Sequence, residues 1–120
     1  MCEQIATICI MADFGNGPYA WIRDPETAKP LVGPNIADAI CGFPEDFGVS
    51  KGLHKQFANW VIDFENHYDD KGFNWEEWNQ ISIELCKMFK KEIGDRFLVE
   101  YHYPWEDPRY EGNPPIIDIK

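Results

Sequence analysis

Residues Ile5 to Ala12, IATICIMA, are apolar at both alternating sets of positions and rich in β-branched side chains. A strand of that kind belongs at the centre of a sheet, covered on each side, because neither of its faces is suited to water. The rest of the chain must supply the cover.

Two stretches have the periodicity to do so. From Ser50 to about Tyr68, the side chains of Leu53, Phe57, Trp60, Val61, Phe64 and Tyr68 fall within a stripe about 100° wide at helical spacing, which predicts an amphipathic helix. Ile62 projects from the opposite side of the same wheel, either as a lone exposed side chain or as an anchor for something outside the core. A second helix opens at Asn74, followed three residues later by Glu77 in a variant of the capping box, and closes at Gly94. Trp75, Trp78, Ile81, Leu85, Met88, Phe89 and Ile93 line its predicted inner face. Glu76 and Glu77 lie at the positive end of its dipole, and Lys87, Lys90 and Lys91 at the negative end.

Further on, Phe97 to Tyr103, FLVEYHY, alternates Phe97, Val99, Tyr101 and Tyr103 against Leu98, Glu100 and His102, the pattern of a strand with one buried face. Ile116 to Ile119 has the makings of a short C-terminal edge strand. Asp13 to Phe47 is crowded with turn-formers, among them Gly15, Gly17, Pro18, Pro25, Pro30, Gly33 and Pro34. So long a connection without structure is unusual in a compact domain, so a short strand near Tyr19–Arg23 and a helical turn after Asn35 are expected inside it. The predicted fold is α+β: a small sheet packed on one face by two amphipathic helices, in the order β, loop, α, α, β. A chain of 120 residues, 44% hydrophobic and 15% aromatic, suffices for one core, so residues 1–120 are expected to form a single domain.

The formal net charge of −10, from 21 acidic and 11 basic residues, argues against nucleic acid or an anionic membrane as a partner. Half of it lies in residues 61–80, where Asp63, Glu65, Asp69, Asp70, Glu76 and Glu77 face Lys71 alone, so that 6 − 1 leaves −5. Such a surface serves either solubility or the docking of a basic partner. No apolar stretch approaches the ~20 residues of a membrane span, and Met1 leads into Cys2, Glu3 and Gln4 without a basic leader. A soluble, cytoplasmic chain is expected.

Signatures of catalysis are sparse. Cys2, Cys9, Cys41 and Cys86 form no zinc-type spacing, and His54, His67 and His102 form none with one another or with a carboxylate, so neither a metal nor another cofactor is expected. Asp13 stands where the first strand ends, a place for a turn-former or for a catalytic carboxylate facing a cleft. Asp69 and Asp70 lack the alternating oxygen ligands of a calcium loop.

The assembled pattern resembles the small acidic immunity proteins of polymorphic-toxin and contact-dependent growth-inhibition systems. The likeness is carried by a strand ending in Met11-Ala12-Asp13-Phe14-Gly15 with Pro18 and Trp21 close behind, and by Leu53, Phe57, Trp60 and Phe64 in the first helix. It continues through the acidic segment between the helices to Glu92-Ile93-Gly94-Asp95 before a Val-x-Tyr strand; residues 28–40 and the tail after Tyr103 depart from it. The resemblance implies a non-enzymatic inhibitor whose partner is the C-terminal domain of a cognate toxin, often a nuclease. Asp69, Asp70, Glu76 and Glu77 are the expected partner-binding residues of the helical region. In the aromatic tail, Trp105, Glu106, Asp107 and Tyr110 have the mixture of anchors and charged rim that interfaces use. The competing expectation is a small enzyme or ligand-binding domain with a pocket near Asp13 and His102. A third is a subunit that oligomerises through Ile62 and exposed aromatics.

Overall fold

Extended backbone gives way to helix at Ser50, whose side-chain oxygen accepts the Leu53 amide and starts α1, Lys51–His67. Asn74 does the same for α2, Trp75–Ile93, accepting from the Glu77 amide. The computed structural model describes residues 5–110 and 112–120, so Cys2 and Glu111 lie outside the described residues. Five strands complete the fold: β1 (Thr7–Ile10), β2 (Pro18–Arg23), β3 (Asn35–Asp38), β4 (Leu98–His102) and β5 (Ile116–Ile119). They form one mixed sheet in the order β3-β2-β1-β4-β5. β1 and β4 run parallel at its centre, and the other pairs are antiparallel.

Ile8, Ile10, Val99 and Tyr101 point from the sheet into a core shared with Leu53, Phe57, Trp60, Val61 and Phe64 of α1 and Trp78, Leu85 and Phe89 of α2. The helices lock together through two tryptophans. Trp60 and Trp78 stack with ring centroids 4.8 Å apart, the Trp78 indole N–H donates to the Trp60 carbonyl oxygen at 3.1 Å, and the Trp60 indole N–H donates to the Ser82 hydroxyl.

Three local expectations need correction. The stretch after Asn35 starts as strand β3, which pairs with β2 and is tied to the sheet edge by the Asn35 amide, donating at 2.9 Å to the carbonyl oxygens of both Ala20 and Ala37; the expected turn comes after it, where the Gly42 amide donates to the Asp38 carbonyl at 2.9 Å. Ile81 and Met88 are not on the inner face of α2 but 47% and 41% exposed, while Asn79, Ser82 and Cys86 are buried in their stead. The stripe is rotated because Asn79 and Ser82 have internal partners, Tyr101, Asp107 and Trp60, so they can be buried without loss of hydrogen bonds. Finally, β4 has two buried faces rather than one, since Glu100 is 1% and His102 5% exposed. They lie on the side of the sheet away from the helices, under the connection that follows β2, where Leu31 offers its carbonyl to Arg23 and Lys29 reaches Glu100.

Candidate functional site

The face of the sheet opposite the helices is built around a buried charge. Register brings Cys9 of β1 beside Glu100 of β4 and Thr7 beside Arg23 of β2, so strand pleat alone sets Cys9, Arg23 and Glu100 on one surface with His102 two residues along. One carboxylate oxygen, Glu100 Oε1, accepts from Arg23 Nη1, from His102 Nε2 at 2.9 Å and from the Cys9 thiol at 3.5 Å. The other, Oε2, meets Lys29 Nζ at 3.1 Å, and the same ammonium reaches Asp118 of β5 at 3.0 Å. Burial alone would raise the Glu100 pKa, but hydrogen bonds from His102, Arg23 and Lys29 outweigh it and hold the carboxyl well below the usual carboxylate range. Burial, reinforced by the Glu100 charge, pushes the Cys9 thiol up to about 12.

Cys9, Glu100 and His102 present potential ligand atoms within 4.8 Å of one another, a grouping that their spacing in sequence conceals. A metal there would have to displace Arg23, whose guanidinium already contacts Glu100 and Cys9 and supplies the compensating positive charge. Beside this network lies a cavity of about 530 Å³. His102 and Tyr103 meet Pro30 and Leu31 of the covering connection and Trp105 and Pro114 of the tail around it. Of the two residues expected near such a pocket, His102 lines it and Asp13 does not; the Asp13 carboxylate instead accepts the Phe14 amide at 2.8 Å, in the manner of a turn-former.

A second concavity runs along the solvent side of the seam between α1 and α2. This groove has two adjoining hollows that meet at Asn74, Glu77 and Ile81: Leu85 and Met88 floor the first beside Glu76 and Glu84, and Asp63 and Asp70 stand around the second. The seam is acidic for a local reason: α2 starts with carboxylates that suit its dipole, and they face Asp63 and Asp70 from the end of α1 and the turn. His67 sits among these charges, with Nδ1 2.7 Å from Asp70 and Nε2 3.7 Å from Asp63. The hydrogen bond to Asp70, aided by the charge of Asp63, raises its pKa above the ordinary histidine value.

The expected partner-binding residues divide between these regions. Asp70, Glu76 and Glu77 line the groove; Asp69 is exposed in the adjoining turn. Trp105, 59% exposed, borders the cavity on the sheet side; Glu106 is half-buried, and Tyr110 packs edge-on against Tyr103. Asp107 corrects the expectation of a charged rim: it is 1% exposed, accepts from Asn79 at 3.0 Å and is gripped by Arg109 at 2.9 Å. It fastens the tail to α2 and is not available to a partner. Sequence reasoning missed Arg23, Lys29 and Glu100; the available signal was a carboxylate in the middle of a strand flanked by large apolar and aromatic side chains, which calls for a buried cation. Comparison with protein-family models, curated proteins and solved structures finds no match.

Proposed function

We propose that the protein is a cytoplasmic inhibitor of a basic toxin domain, which it binds through the groove between α1 and α2. The observation that carries the reading is the juxtaposition of an apolar floor at Ile81, Leu85 and Met88 with the carboxylates of Asp63, Asp70, Glu76, Glu77 and Glu84. Lysine and arginine side chains suit such a surface, because their alkyl stems cover apolar atoms while their charged heads meet carboxylates. The net charge of −10 adds a long-range field that draws a basic domain toward the chain. Inhibition then needs no chemistry: occupying a nuclease's phosphate-binding surface with carboxylates excludes its substrate. Among the described residues no helix is long and apolar enough to cross a membrane.

On this reading a large toxin gene should adjoin the one for this chain, and the test is the association kinetics with the C-terminal domain of that gene's product. Binding should slow as salt rises, and Asp70→Lys with Glu77→Lys should lower the association rate about tenfold while changing dissociation less. Binding indifferent to both salt and charge reversal would leave the acidic groove without a docking role, and no binding at all would end the inhibitor reading.

A further inference from the structure

His102 of β4 is only 5% exposed, yet among the described residues only one of its ring nitrogens is engaged. Nε2 faces Glu100 Oε1 at 2.9 Å, and since that carboxylate is ionised and accepts only, Nε2 carries the proton and donates it. Nδ1 has no partner among the described residues. No side-chain polar atom among them is both fully buried and unpartnered, so Nδ1 reaches open space, and the open space that His102 lines is the cavity of about 530 Å³ on the sheet side. We propose that this cavity binds a small aromatic molecule carrying a hydroxyl, which hydrogen-bonds His102 Nδ1.

The walls specify the ring. Trp105, Tyr103, Pro30 and Pro114 offer flat apolar faces to a planar ligand, and Met11 adds a polarisable thioether. The volume falls within the range of small-molecule sites and is enough for one or two rings. The polar side is equally selective. Lys29 on the rim is held by Glu100 and Asp118, so its charge is matched and does not call for an anionic ligand. The His102 ring, fixed in orientation by its bond to Glu100, offers Nδ1 to a ligand's hydroxyl, with the Asn113 side chain on the same wall. The cavity shares no lining residue with the α1–α2 groove, so this inference stands or falls independently of the inhibitor reading.

p-Cresol and toluene are the probes, because they match in shape and differ in the hydroxyl. In the full chain labelled at histidine ring carbons, p-cresol should shift the His102 ring signal saturably and quench Trp105, and toluene should bind about tenfold more weakly. His102→Phe should abolish that preference. Trp105→Ala, at an exposed position that leaves the fold intact, should weaken both ligands. The proposal is overturned if p-cresol produces no saturable shift, if toluene binds as well, or if His102→Phe keeps the preference. A blocked tyrosine peptide that bound more tightly than p-cresol would overturn the assignment to a free molecule and make the cavity a pocket for a partner's side chain.

Discussion

Glu100 meets four side chains, those of Cys9, Arg23, Lys29 and His102, and its removal should show what a matched buried charge contributes. Glu100→Gln would leave Arg23, itself 5% exposed, without its carboxylate, and should cost about 3–5 kcal/mol. The pH dependence follows from the direction of the Glu100 shift. Its folded-state pKa lies below the unfolded one, so the contribution is complete above the unfolded carboxylate value near ~4.3 and declines as pH falls below it toward the folded value. Urea midpoints should therefore fall more steeply with acid in the parent than in Glu100→Gln, and parallel curves would show that the network does not couple protonation to folding. This residue also marks a limit of reading the sequence. Alternation in FLVEYHY gave the periodicity of β4 but assigned Glu100 and His102 to water, because periodicity reports polarity and not the partners that make polarity tolerable indoors. The two-sided apolar pattern of β1 did call for cover on each side. That cover on the second face is a connection anchored by Lys29 and Leu31, and only three-dimensional register reveals it.

Among the elements, the helices were the most legible, since period marked both α1 and α2, and for α2 the cap and terminal charges agreed with it. α2 was nonetheless misread by a fraction of a turn. Its inner face is centred on Asn79, Ser82 and Cys86, and an apolar wheel cannot foresee that Ser82 will take the Trp60 indole N–H. A pair of truncations separates the two assignments: Leu85→Ala, at a position 4% exposed, should cost about 3 kcal/mol, whereas Ile81→Ala should stay within about 0.5 kcal/mol. Equal losses by thermal or urea melting would restore Ile81 to the core. β3 was misread for a different reason. NIAD is too short to show a period, and its conformation is imposed by β2 and by the Asn35 amide, which are tertiary facts. Gly33, just before it, is required for packing: a Cβ there would run into the carbonyl oxygen of Ile22.

At the scale of the whole molecule, the acidic surface and the matched interior respond to salt in opposite degrees. Exposed like charges repel and are screened, whereas the Arg23–Glu100 pair, with side chains 6% and 1% exposed, is shielded from the solution. Sodium chloride at about 0.5 M should therefore raise the thermal midpoint by roughly 2 °C or more. A midpoint that fell instead would mean that surface ion pairs such as Lys87–Glu84 outweigh the repulsion.

The parallel pairing of β1 with β4 also gives the chain a timetable. Cys9 and Glu100 are 91 positions apart, so during synthesis the most apolar strand emerges first and both helices are made before its central neighbour exists. Until then one edge of β1 is bare, a state in which strands find wrong partners. The closure of that long loop, rather than the formation of either helix, should set the pace of folding. A ribosome that stalls before Leu98 therefore releases a chain whose first strand is still unguarded.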